Sequence, residues 1–161
     1  MPRQKITTFL WFDSQAEEAA NFYIATFRDS RVTRVARYPE GAPAPAGTAM
    51  TVEFELAGVP FIALNGGPHF KFNEAISLSV DCVDQAEVDD LWDKLSQGGA
   101  PGRCGWLKDK YGLSWQIIPS GFQKLLAGDD PARSGRAVAA MMQMSKLDIG
   151  ALQRAYDGTS Q

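Results

Sequence analysis

Ala49-Met-Thr-Val-Glu-Phe-Glu-Leu56, then Ala57-Gly58, then Val59-Pro-Phe-Ile-Ala-Leu-Asn65 is the stretch that decides the fold. Met50, Val52, Phe54 and Leu56 alternate with Thr51, Glu53 and Glu55, the period-two pattern of a strand with one buried and one wet face. Ala57-Gly58 reads as a tight turn, so residues 59–65 return as the second arm of a hairpin. Upstream, Pro39 to Gly47 is a proline-rich loop, and Arg31 to Tyr38 alternates as a half-exposed strand. Before that, Ala16, Ala19, Ala20, Tyr23 and Phe27 recur at helical spacing, which predicts a helix over about 15–27. Ser14 and Glu17 are placed to form its capping box. Ile6 to Phe12 is β-branched and aromatic, a further strand. The order so far is β-α-β-β-β, closed by Gly66-Gly67-Pro68.

The same order returns about 65 to 70 residues later. Ala75 to Cys82 alternates Ile76, Leu78, Val80 and Cys82 against Ser77, Ser79 and Asp81, and Asp84 is placed to cap a helix over 85–97. That helix carries the stripe Val88, Leu91, Trp92, Leu95 and is stopped by Gly98-Gly99. Arg103 to Asp109 and Leu113 to Ile118 follow as a hairpin, in a register expected to set Trp106 beside Trp115. Beyond Pro119 the pattern turns helical. Asp130-Pro131 starts a helix to about Ser145 bearing Val138, Met141, Met142 and Met144, and Asp148 starts another. The expected organisation is a domain over 1–119, with modules at about 5–66 and 74–119, and a helical extension over 120–161.

A chain of 161 residues buries roughly two thirds of its surface and needs no disulfide staples. With 45% hydrophobic and 22% charged residues it is not a disordered composition. A net charge of −3 with scattered lysines and arginines argues against a nucleic-acid partner. The longest purely apolar run, Ala137 to Met142, is far short of a membrane span, and no signal-like segment opens the chain. Two cysteines, Cys82 and Cys104, make no disulfide framework, so a reducing cytoplasm is the expected location. His69 is the sole histidine, which excludes sites built from several imidazoles.

Four strings, Phe9-Leu-Trp-Phe-Asp13, Ala63-Leu-Asn-Gly-Gly-Pro-His-Phe-Lys-Phe72, Cys104-Gly-Trp-Leu-Lys-Asp109 and Leu113-Ser-Trp-Gln116, carry a resemblance over essentially the whole chain. They resemble the PhnB-like branch of the vicinal oxygen chelate (glyoxalase and bleomycin-resistance) superfamily, often labelled 3-demethylubiquinone-9 3-methyltransferase-like. The resemblance implies an α+β fold in which paired βαβββ modules form a cup-shaped mixed sheet, usually in a homodimer. The superfamily's metal enzymes hold a divalent cation with four side chains from four strands. Carried over by motif, those places fall at Thr8 (or Phe9, one residue on), Ala63, Ala75 and Gln116. Methyl groups and a lone amide do not hold a divalent cation against water, so no metal site is expected. An S-adenosylmethionine site of the common type needs a glycine-rich turn between a parallel strand and a helix. Gly98-Gly99-Ala100-Pro101-Gly102 follows a helix instead, so no cofactor is expected and the methyltransferase label has no physical support.

Strand parity puts Phe61, Ala63 and Asn65 on one face and Ser77 and Ser79 on the face of Ala75. If the superfamily's ligand positions point into the cup, Thr8, Phe61, Ala63, Asn65, Ser77 and Gln116 line a neutral pocket for a small, partly aromatic molecule. The opposing reading is a cup filled by its own side chains. His69 is the candidate general acid or base if the protein is instead a metal-independent enzyme, and otherwise a loop histidine. Cys104 is expected to sit inert in an aromatic layer.

Overall fold

The computed structural model describes residues 4–159, and the chain divides into two compact units, 1–72 and 73–161. The first unit contains β1 (Thr8–Phe12), α1 (Ala16–Thr26), β2 (Arg31–Arg37), β3 (Ala49–Leu56) and β4 (Val59–Asn65). Its sheet runs β1-β4-β3-β2, with β1 parallel to β4 and the other pairs antiparallel. The β3–β4 hairpin closes on the pair Leu56 and Val59. Ala57 (φ 48) and Gly58 (φ 81) between them both take the left-handed conformation, as two-residue turns of this hand require.

One face of this sheet is claimed by α1. Leu10, Phe12, Val52, Phe54, Leu56, Phe61 and Ala63 are buried, as are Ala16, Ala19, Ala20 and Tyr23 of the helix. The Tyr23 ring stacks over Phe54 at 6.4 Å, and Phe54 over Phe61 at 5.7 Å. Three alanines on the helix face let its backbone approach closely enough for those rings to meet. Fully burying a side chain such as Phe54 stabilises by about 1.5–3 kcal/mol, so this layer is the unit's core. The expected capping box at the start of α1 does not form. Gln15 is the N-cap and makes no side-chain cap; the Ala16 amide donates instead to Asn65 Oδ1 at 2.8 Å. A long-range acceptor has displaced the local one.

The second unit repeats the plan with β5 (Ser77–Cys82), α2 (Gln85–Ser96), β6 (Ala100–Pro101), β7 (Trp106–Lys108) and β8 (Ser114–Pro119). Its sheet runs β5-β8-β7-β6, with β5 parallel to β8. As the residue types suggest, Asp84 caps α2: its carboxylate accepts from the Glu87 amide at 2.9 Å, and Glu87 accepts from the Val83 amide at 2.8 Å. Val88, Leu91, Trp92 and Leu95 are buried, with Cys82, Leu107, Trp115 and Ile117 of the strands.

Three strand expectations are corrected here. Ala75 and Ile76 lie before β5, because the Ala75 amide folds back onto Asn73 Oδ1. The strand expected over Arg103–Asp109 is only Trp106–Lys108, since Cys104 (φ 58) and Gly105 (φ 86) occupy a turn. A two-residue strand, β6, pairs with it and completes a full βαβββ module. Trp106 therefore faces Gln116, and Leu107 rather than Trp106 faces Trp115.

The helical extension belongs to the second unit. It comprises α3 (Phe122–Leu126), α4 (Pro131–Met141) and α5 (Ile149–Asp157). Asp130 accepts from the Ala132 and Arg133 amides, with Pro131 opening α4, and Asp148 accepts from the Ala151 amide. α4 ends at Met141, so Met142 and Met144 lie in the connection that follows. Met141 and Met144 pack against a small core of Phe122, Leu147 and Leu152, while Met142 is exposed. Main-chain and amide bonds tie the extension down. Cys104 N donates to Met144 O at 2.9 Å and Gly105 N to Ser145 O at 2.8 Å. The Gln85 amide group donates to Leu147 O at 3.0 Å and accepts from Ile149 N at 2.8 Å. Among the described residues no helix is long and apolar enough to cross a membrane.

Candidate functional site

Each sheet has one face covered by its own module's helix and an opposite face that this helix leaves uncovered. In the second sheet Ile118, at one end of that opposite face, packs against the helical extension. These opposite, open faces are where a ligand can be met. Thr8 pairs with Phe61 and Leu10 with Ala63 in the parallel ladder, so Thr8, Phe61, Ala63 and Asn65 share the α1 side of the first sheet. This corrects the expectation that these four line the open face. Phe61 and Ala63 are buried under α1, and Thr8 is exposed at the end of that same face. Asn65 is occupied by the fold: Oδ1 accepts from Ala16 N and Nδ2 donates to Ala49 O at 2.9 Å. The physical reason is the period of two. A strand offset by one residue presents its other set of side chains, and α1 takes the more apolar set.

The open face of the first sheet instead carries Phe9, Trp11, Glu53, Ile62 and Leu64, by the pairings Phe9 to Ile62, Trp11 to Leu64 and Glu53 to Ile62. Trp11 is fixed by its own Nε1–H, which donates to Gly67 O at 2.9 Å, and by Phe70, edge-on at 4.9 Å. A Cβ on Gly66 would lie 2.3 Å from the Trp11 ring, so only glycine fits there. His69 follows on an exposed turn, where its ring has no hydrogen-bond partner among the described residues.

In the second unit the register does bring two expected residues together. Gln116 Nε2 donates to Ser77 Oγ at 2.9 Å, both residues being half-buried. By the pairings Ser79 to Gln116 and Trp106 to Gln116, one row of this open face reads Ser79, Gln116, Trp106. The neighbouring row reads Ser77, Ser114, Lys108. Trp106 and Lys108 were not singled out as lining residues from the sequence. The signal that identifies them is hairpin register counted back from Gln116 through the Asp109–Gly112 turn. That turn is held by Asp109, which is 2% exposed and accepts from the Tyr111 and Leu113 amides and from Trp115 Nε1.

The cysteines divide cleanly. Burial, reinforced by Glu87 and Asp81, pushes the Cys82 thiol up to about 12, so it stays protonated and inert. Cys104 is half-exposed and lies against Met141 O and the Met142 sulfur rather than in the expected aromatic layer. Among the described residues no three His, Cys, Asp or Glu side chains stand where they could share a metal ion.

Comparison with known proteins places this geometry in a family. No curated protein matches the chain. A PhnB protein from Bacillus cereus is 40% identical, covers 73% of this chain and all of its own, and superposes with a TM-score of 0.68. A protein from Pseudomonas aeruginosa at 18% identity covers 73% of this chain and 98% of its own, with a TM-score of 0.60. The fosfomycin resistance protein FosX from Mesorhizobium loti, at 12% identity, covers 71% of this chain and 90% of its own at 0.50. The last two share the fold alone. The profile of the family described as 3-demethylubiquinone-9 3-methyltransferase matches residues 4–118, which take in both modules and stop short of the extension. The chain is a member of that family, the PhnB-like branch of the glyoxalase-fold, or vicinal oxygen chelate, superfamily.

Proposed function

We propose that this protein binds a small, partly aromatic molecule on the open face of its second sheet, without a divalent metal and without S-adenosylmethionine. The observation that carries the reading is the Gln116–Ser77 hydrogen bond of 2.9 Å, with Trp106 beside Gln116 on the same face. An amide and a hydroxyl supply directional contacts, and an indole supplies a flat apolar wall, the mixture typical of small-molecule sites.

The superfamily's metal does not fit these residues. The carried-over positions offer the Thr8 hydroxyl (or the Phe9 ring), the methyl groups of Ala63 and Ala75, and the Gln116 amide. Ala63 is moreover buried on the α1 side of its sheet. Such a set supplies no anionic or imidazole donor to replace water around a divalent cation. Nor do the strand–helix connections suit a nucleotide-like cofactor. The chain passes from β1 to α1 through Asp13-Ser14-Gln15 and from β5 to α2 through Val83-Asp84, neither containing glycine. The exposed turn holding His69 lends the acid–base alternative no specific support.

Titration of the purified chain with phenol and benzamide, followed by tryptophan fluorescence, tests the proposal. Saturable quenching in the wild type, weakened about tenfold or more in Gln116→Ala, is the expected result. Binding that ignores Gln116→Ala, or tight stoichiometric zinc, nickel or manganese, would overturn it. The homodimer implied by the superfamily is tested separately by light scattering.

A further inference from the structure

The row next to Gln116 holds an unexplained group. Ser114 is 1% exposed and its Oγ has no hydrogen-bond partner, whereas buried hydroxyls nearly always find one. In the register it stands between Ser77 on β5 and Lys108 on β7. Ser77 Oγ already accepts from Gln116, so its own proton is free to be donated. The Ser77 hydroxyl and the Lys108 ammonium thus flank the buried Ser114 in one row, and no carboxylate of β5, β7 or β8 shares that row.

The chain itself shows what such a row attracts. Glu74, on the turn just before β5, forms an ion pair with Lys108. Hydrogen bonding to Lys108 holds the Glu74 carboxyl below the ordinary carboxylate range. Both side chains are largely in water, with relative exposures of 44% and 58%, so the pair is screened and readily exchanged. Glu74 is a tethered carboxylate that a free one can replace.

We infer that the molecule bound on this face carries a carboxylate, received by the Lys108 ammonium and the Ser77 hydroxyl in exchange for Glu74. The inference rests on the binding reading above and names the ligand's charged group. An aromatic carboxylate then has a place for each part: the ring beside Trp106 and the anionic group one row away.

Calorimetric titration with benzoate, benzamide and phenylphosphonate separates the possibilities. Benzoate is expected to bind at least tenfold more tightly than benzamide. Lys108→Met should erase that preference, and Glu74→Gln should tighten benzoate severalfold by removing the competitor. Lys108 and Glu74 are both half-exposed, so the two variants are expected to unfold at the wild-type temperature, which circular dichroism verifies. Equal binding of benzoate and benzamide, both dependent on Gln116, would overturn the carboxylate assignment and leave the small-molecule reading standing. Phenylphosphonate binding more tightly than benzoate would also overturn it. Absence of any Gln116-dependent binding would bring down both.

Discussion

Replacing Asn65 by alanine removes two hydrogen bonds at once, one at the start of α1 and one at the start of β3. The bonded groups that remain are the amide of Ala16 and the carbonyl of Ala49, residues 0% and 3% exposed. A buried polar group left without its partner costs about 1–3 kcal/mol, somewhat less where water can reach it. Asn65→Ala is therefore expected to destabilise the first unit by about 2–4 kcal/mol. For a chain of this length that corresponds to a fall of roughly 6–12 °C in Tm. Urea unfolding followed by far-UV circular dichroism measures it. Asn65→Asp keeps the acceptor for Ala16 and adds a favourable charge at the helix start, so it should lose only about 1 kcal/mol, chiefly the contact to Ala49. A loss below about 0.5 kcal/mol for Asn65→Ala, together with weakened binding of an aromatic probe, would refute the structural role and return Asn65 to the ligand site.

Asp109→Ala strips the acceptor from three donors in a buried turn, and a destabilisation of about 3 kcal/mol or more is expected from the same urea assay. Iodoacetamide should modify Cys104 in the native protein and leave Cys82 untouched until denaturant is added, as intact mass spectrometry will read; prompt double labelling would contradict the burial of Cys82. Asp89 is held below its ordinary value by hydrogen bonds from Lys146 and Gln85, and Lys146 is raised by Asp89. The pair's contribution is thus present between the ordinary carboxylate and lysine values. It is lost as pH falls through the lowered Asp89 value or rises through the raised Lys146 value. Lys146→Met should lower the urea midpoint slightly within that window and not at its acid edge.

Much of the fold was legible because its signals are local. Asp84, Asp130 and Asp148 each act on amides two or three residues away, and all three cap the helices that follow them. Alternation in residues 49–65 likewise located β3, β4 and their turn. The candidate site was less legible, for a physical reason visible at Ala63. Parity groups Phe61, Ala63 and Asn65 on one side, but only the placement of Tyr23 over Phe54 decides that this side is covered. The cap of α1 comes from a residue 49 positions away, beyond any local motif. β6 is two residues long and contains a proline, too little pattern to recognise, and the positive φ of Cys104 leaves no mark in a run that otherwise alternates like a strand. That Ser77 and Gln116 share one face was legible because each sits in a regular strand whose register is set by one parallel ladder.

The seam between residues 104–105 and 144–145 is sewn with peptide groups, donor and acceptor alike. Those two main-chain bonds follow the chain path, so replacing Met144 leaves both in place while shortening the segment undoes them. Identity counts at Gly105, where φ is 86 and a Cβ would lie 3.0 Å from Leu147, and at Ser145, whose hydroxyl donates to Gly102 O. Evolution and engineers alike should find this joint intolerant of deletion and of any side chain at Gly105.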